Sequence, residues 1–276
     1  MFVTQLDAGM MGSTTITVPS FNTDFLVGAI PSQARVSPNG HTVYVNNQDA
    51  GAVKFYDASA DTTFHTTTVP GSVLSMGLSA SGARLYALTD FRGVYVINAG
   101  SGEVLDSISA ASVGAILTGV AFHPSLQLMY VAARDAGTVA TINTQTDSVI
   151  HVDAVVGSNL QNVAVSRDGS QLFATDIGRS MLIVWDLASG GLSSTHQEYP
   201  IGTPVFRNAF DVAVTPDNTQ LYVSTLVDGK VYVLDRVSRA LIDSIPTGGN
   251  ARYIAFDYLG QNAVIPNEGG WVTFVH

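Results

Sequence analysis

The sequence predicts an all-β chain, a six-bladed β-propeller with four antiparallel strands per blade, and three observations carry that expectation. One apolar, aromatic word recurs six times at a period of about 42 residues. Each copy sits in the same frame of strand, turn and polar loop, and no stretch of the chain keeps a helical period.

The copies are HTVYVNN (41–47), ARLYALT (83–89), LQLMYVAA (126–133), SQLFATD (170–176), TQLYVST (219–225) and QNAVIPN (261–267). Their anchors are Tyr44, Tyr86, Tyr130, Phe173, Tyr222 and Val264, spaced by 42, 44, 43, 49 and 42 residues. Before each word stands an apolar strand and a tight turn: ARVSPNG, GLSASG, VAFHPSL, VAVSRDG, VAVTPDN and IAFDYLG. The Pro, Ser, Asp, Asn and Gly of those turns supply the backbone angles of a hairpin. After each word a polar loop leads to a third strand: AVKFYD, GVYVIN, TVATIN, MLIVWD, KVYVLD and WVTFVH. The Asp or Asn that ends five of them is expected to cap the next turn. A more polar fourth strand follows, as in EVLDSIS and ALIDSIP.

Four short strands in about 42 residues is the pattern of a propeller blade, whose two apolar faces are buried by its neighbours. The blades are expected at about 32–71, 72–112, 113–157, 158–202, 203–248 and 249–276, within a single domain over 1–276. The last copy stops after its third strand, and FLVGAIP (25–31) matches LIDSIP (241–246). Residues 25–31 are therefore expected to complete the C-terminal blade and remove an open edge. Residues 1–24 form an extension outside the repeat, which either adds a strand at TTITV (14–18) or covers one face.

The words YVNN, YALT, YVAA and YVST, each after an SPDG-like turn and before a VxVID-like strand, resemble the YVTN β-propeller repeat family over residues 25–276. Members of that family include surface-layer proteins, binding proteins and relatives of lactonases and lyases. The resemblance therefore implies a fold rather than a function.

Composition narrows the function classes. The chain carries 12 Lys+Arg against 22 Asp+Glu, a net charge of −10, which disfavours nucleic acid and anionic membrane surfaces as partners. It has no cysteine, which removes disulfides, thiolate nucleophiles and cysteine metal sites. No window approaches the roughly 18 apolar residues of a membrane span, so a soluble chain is expected. No signal peptide is visible in MFVTQLDAGMMGSTT, and the compartment stays open.

In a propeller the loops entering the innermost strands and the loops between second and third strands share the usual ligand face. Arg92, Arg134, Arg179, Arg207 and Arg252 all map there, although the chain has only 12 basic residues. Guanidinium forks bind carboxylates in pairs of hydrogen bonds. Arg252, Arg207, Asn208, Asn162, Gln33, Arg134 and Arg179 are accordingly the expected ligand-binding set for a small, anionic molecule. The plainer reading pairs each arginine with a neighbouring aspartate.

Glu268, Asp211, Asp176 and Tyr253 are the catalytic candidates. The carboxylates would supply acid and base, or hold a divalent cation such as Mg or Ca, or else simply cap turns. Arg35 stands where other copies have Ala or Gly, as a structural cation or a channel-lining one. None of the six histidines maps to the ligand face, which argues against imidazole catalysis and a histidine-held zinc. It also separates the chain from streptogramin-lyase-like propellers, and the metal-binding set of gluconolactonase-like propellers cannot be placed residue by residue. Trp185 and Trp271 are expected to pack between blades.

Two readings remain. One is a ligand-binding or interaction propeller with an arginine-rich site at the channel mouth, open to a protein partner as well. The other is a small-molecule lyase, isomerase or lactone hydrolase that uses carboxylates at the same face.

Overall fold

A computed structural model describes residues 2–5, 10–14, 21–28, 30–60, 62–193, 195–202, 208–257 and 259–276. The chain falls into two compact units, Met1–Gly119 with Thr146–Val149, and Val120–Gln145 with Ile150–His276. It opens with β1 (Phe2–Gln5), β2 (Met10–Thr14) and β3 (Phe21–Leu26), which form a three-stranded sheet in that order. The first blade is β4 (Pro31–Val36), β5 (Thr42–Asn47), β6 (Ala52–Asp57) and β7 (Thr62–Thr68). The second is β8 (Val73–Leu78), β9 (Arg84–Thr89), β10 (Gly93–Asn98) and β11 (Val104–Ser109), followed by the one-turn α1 (Ala110–Val113).

The third sheet comprises β12 (Leu117–Phe122), β13 (Leu128–Ala133), β14 (Thr138–Asn143) and β15 (Ser148–Ala154). The fourth comprises β16 (Leu160–Val165), β17 (Gln171–Asp176), β18 (Met181–Asp186) and β19 (His196–Pro200). The fifth comprises β20 (Ala209–Val214), β21 (Gln220–Thr225), β22 (Lys230–Asp235) and β23 (Leu241–Pro246). The sixth is β24 (Ala255–Phe256), β25 (Ala263–Pro266) and β26 (Val272–Val275). Strands pair in chain order, and those whose register is described pair antiparallel. These sheets are the blades of a six-bladed β-propeller.

The recurring word owes its composition to packing between successive blades. Tyr44 reaches across the core and donates to the carbonyl of Ala99 at 3.0 Å, and Tyr130 does the same to Gly191 at 2.7 Å. Both acceptors lie in third-to-fourth-strand turns of the following blade. Where the anchor is Phe173 there is no hydroxyl, and the Arg239 guanidinium covers its ring at 5.5 Å from the same kind of turn.

The residue two after the anchor has a second task. The inner strands β4, β8, β16 and β20 slip register at their start, between Pro31/Ala34, Val73/Ser75, Leu160/Asn162 and Ala209/Val212. The bulge frees an amide from the ladder, and a side chain of the word takes it. The N–H of Gln33 donates to Asn46 Oδ1 (2.7 Å), that of Asn162 to Thr175 Oγ1 (3.1 Å), and that of Asp211 to Ser224 Oγ (3.1 Å). The same three side chains donate onward to the carbonyls of Val73, Phe210 and Arg252, each in the next blade.

Apolar side chains fill the remaining space between blades. In the first unit Tyr44, Val53 and Phe55 pack on Val73, Met76, Leu85 and Ile97. In the second, Phe173, Leu182 and Val184 pack on Val212, Leu221 and Val223. Trp185 is fully buried in the core beside Tyr130 and Val163. Third strands close as expected: Asp57, Asn98, Asn143 and Asp235 each accept backbone N–H groups two or three residues on. Asp186 instead accepts from Gln171 Nε2 at 2.8 Å.

Two expectations for the N-terminus change. In the described residues the segment 25–31 does not form the fourth strand of the last blade. Leu26 and Phe25 are register partners of Met10 and Met11 in β2, and the last sheet counts three strands. Local hairpin pairing closes a far shorter loop than a pairing across the whole chain. Asn47 Nδ2 donates to the Val27 carbonyl at 2.7 Å. Correspondingly, β26 is only half-buried along its length.

The extension is itself built on the repeat. FVTQ (2–5) is a word in the position of a second strand, and β1, β2 and β3 follow one another as the outer three strands of a blade do. Met11 and Val27 pack there on Val43, Val45 and Tyr56 of the first blade. The strand expected at 14–18 lies outside the described residues apart from Thr14, which ends β2.

Candidate functional site

The bulged starts of the inner strands place their side chains beside the next blade, and this decides what each candidate can do. In the first unit, Gln33 is buried, and its Oε1 accepts from Ser75 Oγ (3.2 Å) and from the Met76 amide (3.1 Å). Arg35 folds back on its own strand, donating to Gln33 Oε1 and to the Ala34 carbonyl. Gln33 thus ties β4 to β8, and these two bonds of Arg35 brace β4 itself.

In the second unit Asp211 takes the place that Gln33 takes in the first. It is buried, with Oδ2 accepting from the Ile254 amide at 2.7 Å and Oδ1 accepting from Asn162 Nδ2. Asn162 uses its own Oδ1 for the Val163 amide. Asp176 is buried one turn away in the chain's logic: Oδ1 accepts the amides of Asn159, Gly178 and Arg179, and Oδ2 accepts Arg179 Nε at 2.5 Å. Arg179 carries on to Glu198 with two bonds of 2.9 and 3.0 Å. This is the aspartate-paired arginine of the plainer reading.

A different arrangement surrounds Arg252. Its guanidinium lies over the face of Phe210, 4.5 Å from the ring centroid, and Tyr253 meets the same ring edge-on at 5.4 Å. Arg252 Nη2 pairs with Glu268 Oε1, and Asn250 Nδ2 donates to Glu268 Oε2. Arg134 enters from the loop after β13 and donates through Nη2 to Gln161 Oε1, while its buried Nε has no hydrogen-bond partner.

Burial pushes both guanidiniums below the ordinary arginine value. Asp135 and Tyr253 oppose this at Arg134, and Tyr253 opposes it at Arg252, where the charge of Arg134 lowers the value further. Two half-buried cations thus share one aromatic corner. Arginines remain protonated under such shifts.

Of the expected set, the structure brings together Arg134, Arg252, Tyr253 and Glu268, and it consigns Gln33, Asn162, Asp211, Asp176 and Arg179 to inter-strand or turn bonding. Asn208 takes a left-handed φ of 52° at the entrance to β20, with its carbonyl accepting from Leu226. Arg207 lies outside the described residues. Among the described residues no group of three or more His, Asp or Glu side chains gathers as metal ligands would. Trp271, expected to pack between blades, stands 45% exposed, with Nε1 donating to the Thr247 carbonyl at 3.0 Å.

Phe210 and Asn250 were not singled out by the sequence. An aromatic residue next to the bulge, one step before Asp211, was the available signal for Phe210.

No family model matches the chain, and no curated protein matches it by sequence. Many solved structures share its fold. A chain of hydrazine synthase from Kuenenia stuttgartiensis superposes with a TM-score of 0.91 at 16% identity, over 99% of this chain and 91% of that one. At that identity the likeness is one of fold. No helix of the described residues is long and apolar enough to cross a membrane.

Proposed function

We propose that this chain is a ligand-binding propeller of the YVTN-repeat kind, whose site takes a small organic anion between Arg134 and Arg252. The observation that carries the reading is the buried, unpartnered Nε of Arg134 beside a second half-buried guanidinium. A buried cationic donor left unpaired is costly, and an anion that accepts from it recovers that cost. Glu268 pairs with Arg252 and with the Asn250 side chain.

The carboxylate-enzyme reading has less support. Asp211 and Asp176 already accept N–H donors on both oxygens, so neither is poised to take a proton from a substrate.

The test is a binding screen of propionate, benzoate and inorganic phosphate by thermal shift and calorimetry, on the full chain and on Arg134→Ala. Loss of one charge-assisted bond at Arg134 should weaken binding about tenfold or more. Anion binding that ignores Arg134→Ala and Arg252→Ala alike would place the ligand elsewhere.

A further inference from the structure

Resting on that reading, we propose that Glu268 is a built-in stand-in for the ligand, and that the ligand is a small organic carboxylate that displaces it. The Glu268 carboxylate is held as a bound acid would be, with one oxygen on Arg252 Nη2 and the other on the Asn250 side-chain amide. The seat belongs to the backbone rather than to Glu268. Arg252 N donates to the Pro266 carbonyl at 3.0 Å and Glu268 N to the Asn250 carbonyl at 3.1 Å, and Ala251 bridges Asn267. Removing the carboxylate therefore leaves both loops in place.

Arg252 also keeps its position, because its guanidinium is stacked on the Phe210 ring at 4.5 Å. The pair itself is weakly held. The Arg252 and Glu268 side chains are 35% and 34% exposed, and ion pairs at that exposure contribute little. Glu268 is tethered to its loop, and Arg134 Nε has no hydrogen-bond partner.

This assignment has a sign that separates it from the alternatives. A metal ligand, a general acid or a positive contributor to binding would weaken the site when removed. A stand-in strengthens it. Beyond its Cα the glutamate side chain is propionate, so propionate is the matched probe, and Glu268→Ala leaves a place of its shape.

Calorimetric titration of the full chain with sodium propionate at fixed ionic strength tests this. Glu268→Ala should bind propionate about three- to tenfold more tightly than the unaltered chain, and Glu268→Gln should show a smaller gain. Glu103→Ala removes the same charge from an exposed loop and should change nothing. Arg252→Ala combined with Glu268→Ala should abolish the gain.

Unchanged or weaker propionate binding in both Glu268 variants, with Arg134→Ala still weakening it, overturns the stand-in and leaves the anion site standing. An equal gain in Glu103→Ala reduces the effect to net charge and overturns it too. If neither the unaltered chain nor Glu268→Ala binds propionate, the anion reading itself is lost.

Discussion

Replacing Asp211 by alanine should destabilise the second unit far more than it affects any ligand, and the size of the effect follows from its bonds. Its carboxylate accepts from the Ile254 amide at 2.7 Å and from the Asn162 side chain, and it is buried. Hydrogen bonds to a buried charge contribute about 1.5–3 kcal/mol each, and both donors would be orphaned. Relief of the carboxylate's own desolvation offsets part of this, so a net loss of roughly 3 kcal/mol is expected. Asp211→Asn should cost about half as much, since one oxygen survives while the new NH2 faces a donor. Urea denaturation, followed by fluorescence and far-UV dichroism, measures it. With a slope near 3 kcal/mol/M for a chain of this size, the midpoint of the second unit should fall by about 1 M. Glu268→Ala, an exposed control, should stay within about 0.5 kcal/mol. An Asp211→Ala protein as stable as the parent, but unable to bind propionate, would refute the structural assignment and return Asp211 to the site.

Thr175→Val keeps volume but leaves the Asn162 amide without its acceptor and the Phe210 carbonyl without its donor, so about 2 kcal/mol should be lost on urea denaturation. Tyr130→Phe should cost roughly 1 kcal/mol and about 3 °C in Tm by calorimetry, because only the bond to the Gly191 carbonyl is removed. Burial pushes the Tyr130 hydroxyl up to about 12, so that bond persists through the neutral and mildly alkaline range.

His123 supplies the pH dependence. Its Nδ1 accepts from the Ser125 and Leu126 amides, its Nε2 faces the Gly169 carbonyl, and burial lowers its value below that of free histidine. The folded chain thus holds the ring neutral. As pH falls below about 6.5 the unfolded chain takes up a proton first, so stability should decline there. A His123→Asn variant should lose that slope. An NMR titration of His123 at or above the free-histidine value would refute the assignment.

The blade count and the hairpin order were legible because period and alternation are properties of one strand at a time. Tyr44, Tyr130 and Tyr222 could be recognised as a repeat without knowing what they touch. Pairing over long distance was not legible in the same way. FLVGAIP resembles a fourth strand, yet similarity to LIDSIP does not say which edge it takes, and the nearer partner β2 takes Phe25 and Leu26. For the site, the excess of arginine on one face was visible. What separated Arg179 from Arg252 was not, because Asp176 lies three residues from Arg179 while the partners of Arg252, Glu268 and Phe210, lie on two other segments.

The two groups of candidate residues have one structural cause. The inner strands β4, β8, β16 and β20 begin with a bulge, and the side chains at those slots are Gln33, Ser75, Asn162 and Asp211; Tyr253 takes the corresponding place before β24. In the first unit Gln33 joins its slot to that of Ser75, and in the second Asn162 joins Asp211, which joins the strand of Tyr253. A polar side chain at such a slot is consumed by the neighbouring slot, which is why a list drawn from polarity alone gathered so many structural residues. The slot of the sixth blade holds Tyr253. There the slot residue is aromatic, it turns its edge to Phe210, and it stands in the field of both Arg134 and Arg252. Arg134 Nε lacks a hydrogen-bond partner there, and the proposed ligand carboxylate is the acceptor it calls for.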